Sequence, residues 1–248
     1  MYVLAFATIE VGLFGLFSQR IKARTLRHNL VFFASIGLLV ATSTNINYEA
    51  VAFIDPGTAS LLSQTSIIFG LLLGLFWLHD KLTNKQLAGA IIAIAGVLII
   101  TFQPGDYLRL GSIMVLVSAF LYALHAAIAK RYGDDIDFVD FFFFRLFFTT
   151  SFLFIFAFSR QQLILPSWKA LLLLIMVGTV DVVISRTLYY VTLRRMDMSV
   201  HAIILTLSPV AAVLWSLLLF STFPSWGQLI GGLAVILGVL VVTLNQTP

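Results

Sequence analysis

Cysteine is absent from the 248-residue chain, which excludes disulfides, haem thiolates and cysteine-ligated zinc and leaves the redox compartment unspecified. Charge is scarce too: Asp, Glu, Lys and Arg make up 10% of the residues against 60% hydrophobic, and mean hydropathy is +1.03. So little polar surface cannot cover a water-soluble globule, and the lipid bilayer is the solvent that fits. There is no phosphate-binding Gly-rich loop, no His-Glu-x-x-His and no Gly-x-Ser-x-Gly, so the sequence expects no cofactor and no metal. Residues 1–17 lack the basic n-region and cleavage site of a signal peptide. A formal charge of +4 would suggest nucleic acid for a soluble protein. Here Lys and Arg gather in short loops, where they report topology and argue for no nucleic-acid partner.

What the chain does have is apolar runs, each long enough to cross a hydrocarbon core of ~30 Å as a helix. Nine helices are predicted, roughly 1–17, 29–48, 57–78, 84–102, 109–130, 138–158, 168–190, 198–220 and 226–244. Asp55-Pro56-Gly57, Gln103-Pro104-Gly105-Asp106, Gly133-Asp134-Asp135 and Phe223-Pro224-Ser225 separate them, with Asp55 and Ser225 as expected N-caps. One set of loops carries Arg20, Lys22, Arg24, Arg27, Lys81, Lys85, Lys130, Arg131, Arg194 and Arg195, and the opposite set carries Arg109, Arg160 and Lys169. The richer side is expected to be cytoplasmic, which puts the C-terminus inside.

Asp55–Thr101 recurs 142 residues later as Asp197–Thr243, with twelve of 47 positions identical without a gap. Eight of the twelve fall in Gln86–Thr101, including Gln86/Gln228, Gly89/Gly231, Gly96/Gly238 and Thr101/Thr243. Such a register marks an internal repeat. Shifted back by 142, the helix 109–130 would precede residue 1. The complete unit is then five helices, the first copy lacks its first helix, and an odd number forces the copies into opposite orientations. The expected fold is an all-α integral membrane protein with an inverted repeat of five-helix units, nine spans in this chain, divided into 1–105 and 106–248.

Gln-x-x-Gly-x(6)-Gly-Val, carried by Gln86, Gly89, Gly96 and Val97 and again by Gln228, Gly231, Gly238 and Val239, resembles the EamA-type domains of the drug/metabolite transporter superfamily. Pro209 matches the mid-helix proline of such domains and Arg145 the arginine early in their second helix. Ile67 replaces that proline in the first copy, Asp80 stands where Glu is usual, and Thr222 replaces it in the second copy. The resemblance implies a secondary exporter of amino acids, other metabolites or drugs in the cell membrane. It implies neither a substrate nor an oligomeric state.

Asp181 is the deepest acid in a full-length span, and an ionised carboxylate at the bilayer centre costs at least ~2.5 kcal/mol unless it pairs or meets a cavity. It is read either as a structural partner of Arg145 or Arg186 or as the principal charged group of a transport site, binding a substrate amine or a coupling proton. Glu10 raises the same question. Tyr122 and His125 share a helix face at i, i+3, where His125 is a candidate for proton exchange or for a simple interfacial hydrogen bond. Gln64, Ser66, Thr206 and Ser208 put polar groups at matched depths of the repeated central helix, as cavity lining or as packing. Asn45, Asn47 and Tyr48, with Thr187, Tyr189 and Tyr190 in the second copy, are candidate vestibule lining, and belt anchoring explains the tyrosines equally well. Gly70-x-x-x-Gly74 and Gly227-x-x-x-Gly231 are read as packing motifs, and Phe141–Phe144 with Phe147 and Phe148 as lipid-facing bulk in preference to an aromatic cage. The expected function is secondary transport of a small molecule, with protons as a candidate coupling ion. The alternatives are a truncated, non-transporting membrane protein and an intramembrane enzyme.

Overall fold

The computed structural model describes residues 1–54, 56–102, 110–161, 163, 166–221 and 223–244, without the side chains of 56 and 57. The expected cap at Asp55, the turn at 103–106 and Thr222 lie outside the described residues. The helices are α1 (Tyr2–Phe17), α2 (Ala23–His28), α3 (Leu30–Ala50), α4 (Pro56–Ser63), α5 (Thr65–Phe76), α6 (Asn84–Thr101), α7 (Leu110–Gly133), α8 (Phe138–Ser159), α9 (Trp168–Val177), a π-helical stretch (Gly178–Ile184), α10 (Ser185–Arg195), α11 (Met198–Ile204), α12 (Leu207–Phe220) and α13 (Trp226–Leu244). Lipid offers no partner for peptide groups, so the chain satisfies them within helices.

Among the described residues, eight segments are long and apolar enough to cross a membrane, with α4–α5, α9–α10 and α11–α12 each counted as one span. The first of the nine helices expected from the sequence is α1, whose 16 residues fall short of the ~20 that cross a bilayer untilted.

The helices form two compact units, Met1–Asn45 with Ile128–Arg195 and Ile46–Ala127 with Met196–Pro248. In the second unit α6 and α13 make the closest helix pair. A Cβ added to Gly89 would lie 2.7 Å from the Gly238 carbonyl oxygen, and one on Gly96 would lie 2.6 Å from that of Gly231. The reverse contacts are as tight, Gly231 against Gly96 O at 2.7 Å and Gly238 against Gly89 O at 2.5 Å. Residue 89 meets 238 and residue 96 meets 231, so the helices run antiparallel, and each glycine faces the repeat mate of the other. That exchange is the signature of a local twofold axis, and it establishes the inverted repeat.

The repeated Gln and Thr have local roles. Gln86 Oε1 accepts the Thr83 N–H at 2.8 Å while the Gln86 N–H donates to Thr83 Oγ1 at 3.2 Å. Ser225 and Gln228 form the same box at 2.8 and 3.3 Å, so Ser225 caps α13 as expected. Near the far ends, the Thr101 and Thr243 hydroxyls donate to the Val97 and Val239 carbonyls.

The first unit is organised the same way. Thr8 on α1 and Thr150 on α8 are repeat mates, and their hydroxyls hydrogen-bond to each other at 2.9 Å; two mates in contact lie on the axis that relates them. The phenylalanine run is not lipid-facing bulk as expected. Phe141, Phe142 and Phe144 are buried, with Phe141 edge-on to Tyr190 and Phe144 against Phe33. Phe147, 46% exposed, alone among the run faces outward. Tyr190 is likewise core, whereas Tyr48 is exposed. Of the two glycine motifs, Gly70 and Gly74 pack on α11 and Gly231 on α6, but Gly227 meets only Ser225 Oγ at 3.9 Å.

Gly96→Ala is expected to lower resistance to unfolding by SDS by about 1–3 kcal/mol, since a methyl group against a backbone carbonyl forces the helices apart. Gly232→Ala is the control, because none of the described residues beyond its own helix backbone lies within 4 Å of a Cβ built there. Circular dichroism across an SDS titration would read both, and equal effects would sink the assignment of the α6–α13 contact.

Candidate functional site

Two spans of the second unit are broken in mid-course, and the breaks are repeat mates. α4 passes to α5 at Gln64, and α11 to α12 at Leu205–Thr206, 142 residues after Gln64. At the second break Pro209 has no N–H to continue the helix, and the Ser208 N–H turns to the Leu205 carbonyl. The first break persists without a proline: the Ile67 N–H donates to Gln64 O, three residues back, at 3.0 Å. Side chains complete the local bonding, with Thr65 Oγ1 donating to Leu62 O and Thr206 Oγ1 to Ile203 O, each at 2.6 Å. Interrupted helices at matching positions of an inverted repeat are where such folds place binding sites.

A cleft of about 330 Å³ opens beside these breaks. Its walls are Ser60 on α4, Gln64 at the break, and Ser208, Ala212 and Ser216 on α12; Thr101 and Gln228 close it from α6 and α13. The structure thus brings Gln64 and Ser208 together. Thr206 is buried and shares with Gln64 a gap of about 20 Å³ alongside. Ser66 is half-buried and does not line the cleft. Tyr122 and His125 stack edge to face with ring centroids 4.6 Å apart, His125 wholly buried, and neither lines the cleft. Ser60, Ser216 and Gln228 are lining that the sequence reading did not assign to a site. The 142-residue register held the signal for Ser216, which is the mate of Gly74 in the α5 packing motif.

At the opposite end of the same broken helices there is contact instead of space. A Cβ on Gly70 would lie 3.2 Å from Ala202 Cβ and one on Gly74 2.8 Å from the Ser199 nitrogen, so α5 lies flush on α11. By the register these pairs correspond to Ala212 with Ser60 and Ser216 with Gly57. The α5–α11 end is shut, and its repeat mate, α12 against α4, is parted by the cleft.

In the first unit, Asp181 sits on the π-helical stretch, exposed and, among the described residues, with neither a side-chain hydrogen bond nor an ion pair. The pairing with Arg145 is not made. Arg145 is buried, its guanidinium carbon 4.6 Å from the Tyr190 ring centre, and its Nε and Nη1 lack hydrogen-bond partners. Glu10 accepts a hydrogen bond from Thr179 Oγ1 at 2.9 Å. Beside it Gly178 lets the backbone approach α1, since a Cβ there would be 2.9 Å from Val3 O. A π-helical stretch within a span frequently marks a functional segment, and here it carries Asp181.

Residues 1–102 and 109–244 match the EamA-like transporter family. The chain belongs to this family. It is 27% identical over 190 residues to "Uncharacterized transporter YdfC" of Bacillus subtilis (strain 168), and 30% identical over 141 residues to a "Probable amino-acid metabolite efflux pump" of Escherichia coli (strain K12). These alignments cover 75% and 48% of this chain and span 62% and 46% of the relatives' own lengths. A crystal structure shares the fold at a TM-score of 0.79 and 19% identity, over 98% of this chain and 88% of its own. The protein is therefore a multi-pass membrane protein of a transporter family.

The cysteine-free background gives a direct check on the cleft. Cysteine at Ser208 is expected to react with a small maleimide at least about ten times faster than cysteine at Thr206, since the first is exposed and the second fully buried. Equal rates in membrane vesicles would mean that the cleft does not exist there.

Proposed function

We propose that the protein is a secondary transporter that exports small metabolites, amino acids or drug-like compounds among them, by alternating access between its inverted repeats. The observation that carries this reading is the pair of repeat-related contacts: α5 on α11 is shut while α12 against α4 is parted by a cleft. A channel needs both ends open at once, whereas a carrier needs two related gates in opposite states around one site. The name of the Escherichia coli relative supports an amino-acid metabolite as cargo, and its description as an efflux pump supports outward transport. Catalysis is no part of this reading.

Gln64 and Ser208 are assigned to bind substrate in the cleft, with Ser66, Thr206, Tyr122 and His125 supporting the same path. Asp181 is assigned to a substrate amine or to a coupling proton. A carboxylate without a partner in a span persists only where water, substrate or a proton meets it. Lys and Arg in the loops support a cytoplasmic C-terminus in the cell membrane; in that orientation the cleft, at the Pro224 end of α12 and α13, faces outward.

Three measurements test this. In reconstituted vesicles the wild type is expected to carry out counterflow of a labelled amino acid, and Gln64→Ala to reduce it about tenfold, the weight of one or two lost hydrogen bonds. Absence of any substrate-dependent flux across a broad metabolite panel would overturn the reading. Asp181→Asn keeps the shape and removes the charge; wild-type flux with unchanged pH dependence would remove Asp181 from the site. For orientation, a cysteine at Lys169 should react with a membrane-impermeant reagent on intact cells and one at Lys22 should not, and the reverse result would invert the topology.

A further inference from the structure

The two ends of the broken helices share a turn but not the residue that follows it. After α5 the chain reverses through His79, which takes the left-handed conformation at φ 61°, and after α12 its repeat mate Ser221 does the same at φ 52°. Left-handed backbone is uncommon outside glycine, and its presence at mates 142 residues apart makes the turn a repeated device. In the first copy the turn lets the Asp80 N–H reach back to the Gly74 carbonyl at 2.9 Å. Its side chain then crosses to the other repeat, where Asp80 Oδ2 accepts the Ser199 N–H at 2.7 Å. Ser199 belongs to the first turn of α11, and Asp197, the residue in the N-cap position, makes no side-chain cap of its own. Asp80 therefore supplies from across the gate the acceptor that this helix lacks. The mates of Asp80 and Ser199 are Thr222 and Gly57; the second copy keeps an N–H at the one register position and has no carboxylate at the other.

We propose that Asp80 is the gate residue of one side only: its hydrogen bond to the Ser199 N–H latches α5 to α11, its mate Thr222 has no carboxylate with which to latch α12 to α4, and the resting protein therefore stands open at the Pro224 end. The assignment rests on the alternating-access reading, but it concerns which gate is shut at rest and needs no substrate to be observed. Asp80 acts through helix position and not on the cargo. Because the bond is made in one state and broken in the other, it weights the equilibrium between them, and a ligand or mutation shifts that equilibrium only through such a difference.

The test uses single cysteines in the full-length chain in membrane vesicles, labelled with N-ethylmaleimide. Ala202→Cys reports on the shut gate, where Ala202 is buried against Gly70, and its mate Ser60→Cys reports on the open one. In the Asp80→Ala background, labelling at 202 is expected to rise and labelling at 60 to fall, each about tenfold, the weight of one hydrogen bond to a charged group. Thr222→Asp, which offers the second gate the same acceptor, is expected to slow labelling at 60 without exposing 202 in the presence of Asp80. Opposite movement of the two sites establishes the latch even in a preparation without measurable flux, so failure of the transport reading and failure of the latch remain separate results. Rates at both sites unchanged within twofold, or rising together, would overturn it, since a merely structural Asp80 loosens both ends alike. Should Asp80→Ala not insert, Asp80→Asn, whose amide oxygen is a weaker acceptor, is expected to move both sites the same way by a smaller factor, and Thr222→Asp carries the decision beside it.

Discussion

The antiparallel crossing of α6 and α13 is the contact on which the second unit rests. Between helices in lipid there is no hydrophobic gain of the kind that drives folding in water, because acyl chains are as apolar as leucine, so association depends on how closely backbones approach. Gly89, Gly96, Gly231 and Gly238 supply that approach, each with its Cα side against a carbonyl of the partner helix. Ala90, Ala93, Val97, Val235, Val239 and Val242 fill the seam with small and β-branched side chains that lose little rotamer freedom. Around this pair the broken helices are arranged: α4 and α12 lean on α6, and α11 and α12 on α13. A closely packed central pair is thus flanked by interrupted helices, and most polar groups of the cleft lie on the interrupted ones.

What could be read in the sequence follows from the same physics. The Gln and Gly positions stood out because closure of a capping box and backbone contact each tolerate few residue types, and the structure uses Gln86, Gln228 and the four glycines for those purposes. Matched polar groups at Gln64 and Thr206 were legible, but the break at Gln64 was not, since Ile67 carries no proline and its N–H merely shifts its bond by one residue. The phenylalanine run was misread because in an apolar solvent hydrophobicity no longer separates inside from outside; burial of Phe141, Phe142 and Phe144 depends on which neighbours have room for a ring. Gly227 fitted a spacing rule and packs on no helix, since spacing says nothing about whether a partner helix passes that point. The cleft depends on a gap between α4 and α12, and no local pattern encodes a gap.

The two copies have diverged in a way that keeps small residues at both of the related positions. At the shut gate, Gly74 meets Ser199; at its mate the register offers Ser216 and Gly57. The residue types are the same and the helices that carry them are exchanged. Close approach needs only one glycine at the crossing, and it does not matter which helix provides it. The neighbouring pair, Gly70 with Ala202, has Ala212 and Ser60 as mates, larger by one methyl and one hydroxyl and still among the small residues that let helices touch. The cleft walls at these positions are therefore lined by residues about as small as those at the α5–α11 contact. Similar packing at two related contacts is what a bistable element requires, and the positions that differ between the copies, such as Asp80 and Thr222, are where the two contacts are not equivalent.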